Sequence, residues 1–218
     1  MTPKDIPIVN RRLKRAYAAH KAPIVDLIKV ETGDPFRILV ATILSARTKD
    51  ETTSVVCRRL FKVVTQPHDF DQFSEKELEK LIHPIGFFRT KAKHLKQLPA
   101  VLDREYDGVI PDTIDGLCKL PGVGRKTANL VVAMAFEKPA ICVDVHVHRI
   151  CNRLGLLKTK TPLETEMKLR NILPERYWMT WNSILVSYGQ VTCTPTSPHC
   201  STCVIPELCP RRGVTRSR

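Results

Sequence analysis

Cys193, Cys200, Cys203 and Cys209 form a C-x6-C-x2-C-x5-C pattern confined to 17 residues. A segment so dense in thiols must fold around whatever those thiols bind. Four soft ligands within reach of one centre suit a metal. A [4Fe–4S] cluster takes four thiolates, whereas structural zinc is usually held by two C-x2-C pairs or by a mixture with histidine. With one C-x2-C step, the pattern points to iron–sulfur ahead of zinc. Two disulfides are the alternative, and they need an oxidising compartment. The N-terminal stretch MTPKDIPIVNRRLKRAYAAH is basic but has neither the apolar run nor the cleavage site of an export signal. Cys57, Cys118, Cys142 and Cys151 lie among apolar residues and read as reduced core packing.

The remainder of the 218 residues can form one large domain or two small ones. No segment approaches the ~18 consecutive apolar residues of a membrane span. The expected location is therefore cytoplasmic, at the nucleoid, or nuclear in a eukaryote. Lys and Arg total 35 against 22 Asp and Glu, a formal charge of +13. Such an excess favours a polyanionic partner, with nucleic acid the commonest.

The apolar spacing is helical nearly throughout. Phe36, Leu39, Val40 and Ile43 recur at three and four behind Asp34-Pro35, a natural cap and first helical residue. Ser74 and Glu77 make a capping box, and Thr161-Pro162-Leu163-Glu164 repeats the device. A further helix is predicted from Pro174 to Tyr188. One stretch reads two ways: Ile141, Val143, Val145 and Val147 alternate with polar residues like a strand, yet Asp144 could cap a helix through Val147 and Ile150. An isolated strand lacks a partner, so the expected class is all-α.

Leu120-Pro121-Gly122-Val123-Gly124-Arg125-Lys126-Thr127-Ala128 is the second constraining segment. Two glycines around one apolar residue permit a tight turn between helices. Amides of that turn and of the following helix can receive an anion. The small Ala128 lets the helices approach, and Leu117, Leu120, Val131 and Val132 supply their shared core. This is the pattern of a helix-hairpin-helix, which grips the DNA backbone without reading bases. An ordinary interhelical turn is the alternative.

LPGVGRKTAN, the following VDVHVHRICNR, the upstream LSARTKD and the four terminal cysteines stand in the order found in a known family. From about Phe36 to Cys209 the chain resembles endonuclease III, in the helix-hairpin-helix superfamily of base-excision DNA glycosylases. The resemblance implies a two-lobed all-α fold with DNA in the cleft between the lobes. Residues 27–138 would form a six-helix barrel domain containing the hairpin. Residues 1–26 and 139–218 would form the iron–sulfur cluster domain. It also implies that Lys126 is the nucleophile and that Asp144, eighteen residues later, completes the site.

Chemistry supports those roles independently. Lysine attacks only after losing its proton, and the positive end of a helix disfavours an ammonium. A carboxylate such as Asp144 can stabilise a cationic sugar or relay a proton. The expected DNA contacts are Gly122, Val123, Gly124 and Arg125 of the hairpin, with Lys91 and the tail residues Arg211 and Arg212. Where the family has a glutamine after LSA and a bulky apolar residue before KA, this chain has Arg47 and Phe87. Either could fill the hole left by a flipped base; core packing for Phe87 and a phosphate contact for Arg47 are the alternatives. Asp50 and His146 are possible pocket residues. The loop between Cys193 and Cys200 carries His199 as its only possible cation, so the cluster is expected to be structural.

The implied activity is a bifunctional DNA glycosylase and AP lyase. It would remove oxidised pyrimidines such as thymine glycol from double-stranded DNA, also act at AP sites, and work as a monomer. The rivals are a monofunctional mismatch glycosylase and a non-catalytic DNA-binding hairpin protein.

Overall fold

The computed structural model describes residues 1–17 and 33–218. All regular structure among them is helical, so the class read from the sequence holds. The chain divides into two compact units, Met1–Ala22 with Pro139–Arg218 and Pro23–Lys138. The boundary expected at residues 26 and 27 lies outside the described residues.

The middle unit contains six α-helices among the described residues: α2 (Pro35–Ser45), α3 (Asp50–Leu60), α4 (Glu75–Ile82), α5 (Phe88–Tyr106), α6 (Ile114–Cys118) and α7 (Arg125–Ala135). Two of them, α2 and α4, start at the caps legible in the sequence. The Asp34 side chain accepts from Phe36 N, with Pro35 in the first turn. Ser74 and Glu77 close a reciprocal capping box on α4. Helix α2 is the hub, packing on α3, α5 and α7. Accordingly Ile38, Leu39, Val40, Ala41 and Leu44 are fully buried on nearly every side. Each such Leu or Ile contributes about 1.5–3 kcal/mol on burial.

The other unit joins α1 (Ile6–Tyr17) to α8 (Val145–Arg153), α9 (Pro162–Ile172) and α10 (Trp178–Val191). Helix α10 packs on both α1 and α8. Ile6, Val9 and Leu13 from α1 meet Ile150, Trp181 and Leu185 in one core. The ambiguous stretch resolves in favour of the helix. Ile141, Cys142 and Val143 are buried and belong to no helix or strand; Asp144 then caps α8. The helix predicted over Pro174–Tyr188 begins with a short 3-10 turn, and α10 continues to Val191.

Candidate active site

The hairpin forms between α6 and α7, which pack against each other through Leu117, Leu120, Ala128 and Val131. Its two glycines differ in kind. Gly122 has a φ of +75°, and a Cβ there would stand 2.6 Å from His94 Nδ1. The turn itself therefore requires that glycine. Gly124 has a φ of −91° and caps α7, while a Cβ on it would meet nothing within 4 Å. No internal packing demands its bareness, which leaves open space beside the backbone at the start of α7. Val123 between them is buried, its amide donating to Leu120 O at 3.2 Å. Its side chain belongs to the core, and only its backbone remains available as a contact.

Arg125 and Lys126 are the first two residues of α7, and Lys126 is exposed. The nucleophile expected from the sequence thus sits in the first helical turn, beside the open face of Gly124.

Arg47 and Phe87 lie far apart in sequence but side by side in this unit. The Arg47 guanidinium covers the Phe87 ring, 5.6 Å from its centroid. Both residues hold left-handed backbones, with φ of 56° and 58°. That is costly for bulky side chains and persists only where surrounding structure enforces it. The enforcement is visible. Gly86 N donates to Thr48 Oγ1 at 3.0 Å, and a Cβ on Gly86 would be 2.5 Å from Arg47 O. Phe87 is 63% exposed, which rules out the core-packing alternative. Their stacking had no signal in the sequence.

Lys91 corrects the expectation that it contacts DNA phosphate. It is only 7% exposed, and its ammonium donates to Leu44 O at 2.9 Å and Ala46 O at 2.6 Å. Burial lowers its pKa to about 8. Lys91 fastens the end of α2 and so positions the Arg47 loop. Asp50 opens α3 and is half-buried.

In the other unit, Asp144 Oδ1 accepts from the amides of His146 and Val147 at 2.8 and 2.9 Å. That cap fixes the carboxylate at the N-terminal end of α8. His146 is built into a structural network. Its Nδ1 lies 3.0 Å from Arg149 Nη2. A guanidinium can only donate, so Nδ1 accepts and the neutral ring carries its proton on Nε2. Arg149 also donates to Gly189 O and Cys193 O. His146 therefore braces the cysteine loop from α8.

Among the described residues no disulfide joins any of the eight cysteines. Burial pushes the thiols of Cys57 and Cys151 up to about 12, as core cysteines should be. Cys118 is exposed, which corrects its reading as core. Cys193, Cys200, Cys203 and Cys209 are all partly buried. Burial raises the Cys209 thiol, and the charges of Cys203, Cys193 and Cys200 add to it. Among the described residues, no group of three or more candidate ligands is drawn together as a single ion would require. The donors around them are buried too. Tyr188 donates its hydroxyl to Cys203 Sγ at 3.3 Å, and Arg153 reaches Cys193 Sγ at 3.4 Å. Arg153 also donates to Thr194 O and Pro195 O, holding the loop after Cys193.

Residues 40–175 match the HhH-GPD superfamily of base excision DNA repair proteins. Endonuclease III of Thermotoga maritima is 44% identical over 183 residues, covering 83% of this chain and 86% of that protein. Endonuclease III-like protein 1 of Gallus gallus is 40% identical over 95% of this chain and 72% of its own length. A solved endonuclease III, trapped in a covalent intermediate with DNA, superposes with a TM-score of 0.86. It is 37% identical, with 97% of each chain covered. The chain belongs to the HhH-GPD superfamily and, within it, to the endonuclease III family of base excision repair DNA glycosylases. Among the described residues, no helix is long and apolar enough to cross a membrane.

Proposed function

We propose that the protein removes oxidised pyrimidines from duplex DNA and then nicks the strand, with Lys126 as nucleophile. The single observation carrying this reading is the exposed Lys126 in the first turn of α7, beside the unoccupied face of Gly124. A phosphate resting on that bare backbone would hold the adjoining sugar within reach of the lysine side chain. The damaged base is flipped out, at a cost of a few kcal/mol that is least for a poorly stacked lesion. Phe87, with Arg47 stacked on it, enters the gap.

Breaking the glycosidic bond leaves positive charge on the sugar, which the Asp144 carboxylate stabilises. Lys126 Nζ, having given up its proton, bonds to C1′ as the base departs with the bonding electron pair and takes up a proton. The C1′–O4′ bond then opens, an amine proton passing to O4′, and leaves a Schiff base that acidifies the C2′ proton; its removal expels the 3′ phosphate by β-elimination. Hydrolysis of the imine then frees Lys126. The enzyme works as a monomer on damaged bases and AP sites.

The four terminal cysteines suit a [4Fe–4S] cluster: an all-thiol set, partly buried and supplied with hydrogen-bond donors to sulfur. When bound, the cluster supplies cross-linking of the C-terminal segment rather than any bond-making step. Arg153 and Tyr188 orient the thiolates.

Borohydride reduction during turnover tests the mechanism. Wild type should yield a covalent protein–DNA adduct on thymine-glycol duplex, and Lys126→Gln should yield none while still binding DNA. Lack of an adduct with the wild type defeats the Schiff-base reading. A mismatch duplex in the same panel tests the monofunctional alternative.

A further inference from the structure

The C-terminal unit contains a cavity of about 600 Å³ that the proposed reaction does not use; His148, Asn152, Leu157, Lys158, Thr159 and Arg212 line it. Its polar wall is rigidly built. Asn152 Oδ1 accepts from Thr159 N at 2.8 Å, and Asn152 Nδ2 donates to Thr159 Oγ1 at 2.8 Å and to His148 O at 2.8 Å. Thr165 Oγ1 lies 2.6 Å from Thr159 Oγ1, 2.7 Å from His148 Nδ1 and 3.1 Å from Thr161 O. Asn152 Nδ2 also lies 3.3 Å from His148 Nδ1, and an amide nitrogen can only donate, so Nδ1 accepts. Thr165 Oγ1 then accepts from Thr159 and donates to the same Nδ1, which leaves Nε2 as the ring nitrogen able to donate.

Two permanent cations complete the lining. Arg212 is anchored through its own amide to Arg153 O at 3.1 Å. Its guanidinium lies flat against Gly155, where a Cβ would stand 3.1 Å from Nε and 3.2 Å from Cζ. Among the described residues, neither Arg212 nor Lys158 has a carboxylate partner. Both are exposed at the rim.

We infer that this cavity is a binding site for the phosphoryl group of a nucleotide. Lys158, Arg212 and His148 line the cavity from three separate segments, an arrangement suited to a tetrahedral anion more than to a planar carboxylate. The volume exceeds that of a bare ion and falls within the ~300–1,000 Å³ of small-molecule pockets. Leu157 supplies an apolar wall for the sugar or base. The site goes beyond the glycosylase reading and does not depend on the role of Lys126. The phosphoryl group could come from a free mononucleotide or from a DNA strand.

Calorimetric titration of the full-length holoprotein, in buffer free of phosphate, tests this with dAMP, inorganic phosphate and deoxyadenosine. The expected result is saturable dAMP binding, none with deoxyadenosine, and at least about tenfold weaker dAMP binding in the Lys158→Gln, Arg212→Gln double variant. Inorganic phosphate binding as tightly as dAMP supports recognition of the phosphoryl group alone. Loss of dAMP binding on adding undamaged duplex, with weaker duplex binding by the double variant, assigns the source to DNA. Absence of dAMP binding, or equal binding by wild type and variant, overturns the proposal. Should the double variant misfold, Lys158→Gln alone alters only an exposed side chain and must weaken binding in the same direction.

Discussion

Replacing Lys91 by Met removes a buried cation together with its hydrogen bonds to Leu44 O and Ala46 O. Burial holds Lys91 at about 8, against 10.5 for an ordinary lysine. Between these values the unfolded chain keeps a proton that the folded chain has released. Stability contributed by this site therefore rises with pH across the window. At about 1.4 kcal/mol per pH unit, the full difference approaches about 3 kcal/mol. The two carbonyls favour the ammonium and reduce this to about 2 kcal/mol. Near neutral pH the lost hydrogen bonds, about 1.5–3 kcal/mol each, are largely offset by no longer burying a charge. Urea unfolding of wild type and Lys91→Met at about pH 7 and about pH 10 isolates the effect, because the variant has nothing to titrate there. The advantage of wild type over variant should grow by about 2 kcal/mol between the two conditions. A constant or shrinking advantage would show that Lys91 is not the buried, proton-shedding group described, and the reasoning fails.

Gly124→Ala should leave stability within about 0.5 kcal/mol, because the new methyl meets nothing within 4 Å. It should weaken duplex affinity about tenfold by standing where a phosphate approaches. Gly122→Ala should do the reverse in order of severity, costing about 1–3 kcal/mol of stability from its left-handed backbone alone, plus the collision with His94. Thermal melts and filter binding separate the two. Phe87→Ala should lower the excision rate about tenfold or more, since base stacking is worth about 1–3 kcal/mol, at an unchanged melting temperature. A fully active variant would remove Phe87 from the mechanism. Cys209→Ser should abolish the brown colour and the iron content of the purified protein while a colourless, helical chain persists; retention of both would reject the four-thiolate assignment.

Local chemistry was the readable layer of this chain. Asp34, Ser74, Thr161 and Asp144 each cap the helix their neighbours announced, because a cap depends on residues within one turn. The hairpin and the thiol spacing were readable for the same reason. Long-range pairing was not. Lys91 looked like a surface cation, since a lysine on an amphipathic helix gives no sign that two carbonyls some 45 residues upstream will claim it. The alternation at 141–148 read two ways because a buried segment runs straight into an amphipathic helix; only the Asp144 cap marks where the period changes. His148 and Arg212, 64 residues apart, share a cavity that no spacing rule connects.

The interlock of Gly86 beneath Arg47 has a consequence for how this protein can change. Any side chain introduced at 86 collides with the carbonyl of 47, so neither loop can be re-aimed alone. The two tips behave as a geared pair, and inherited or engineered variation in one should require a matching adjustment in the other.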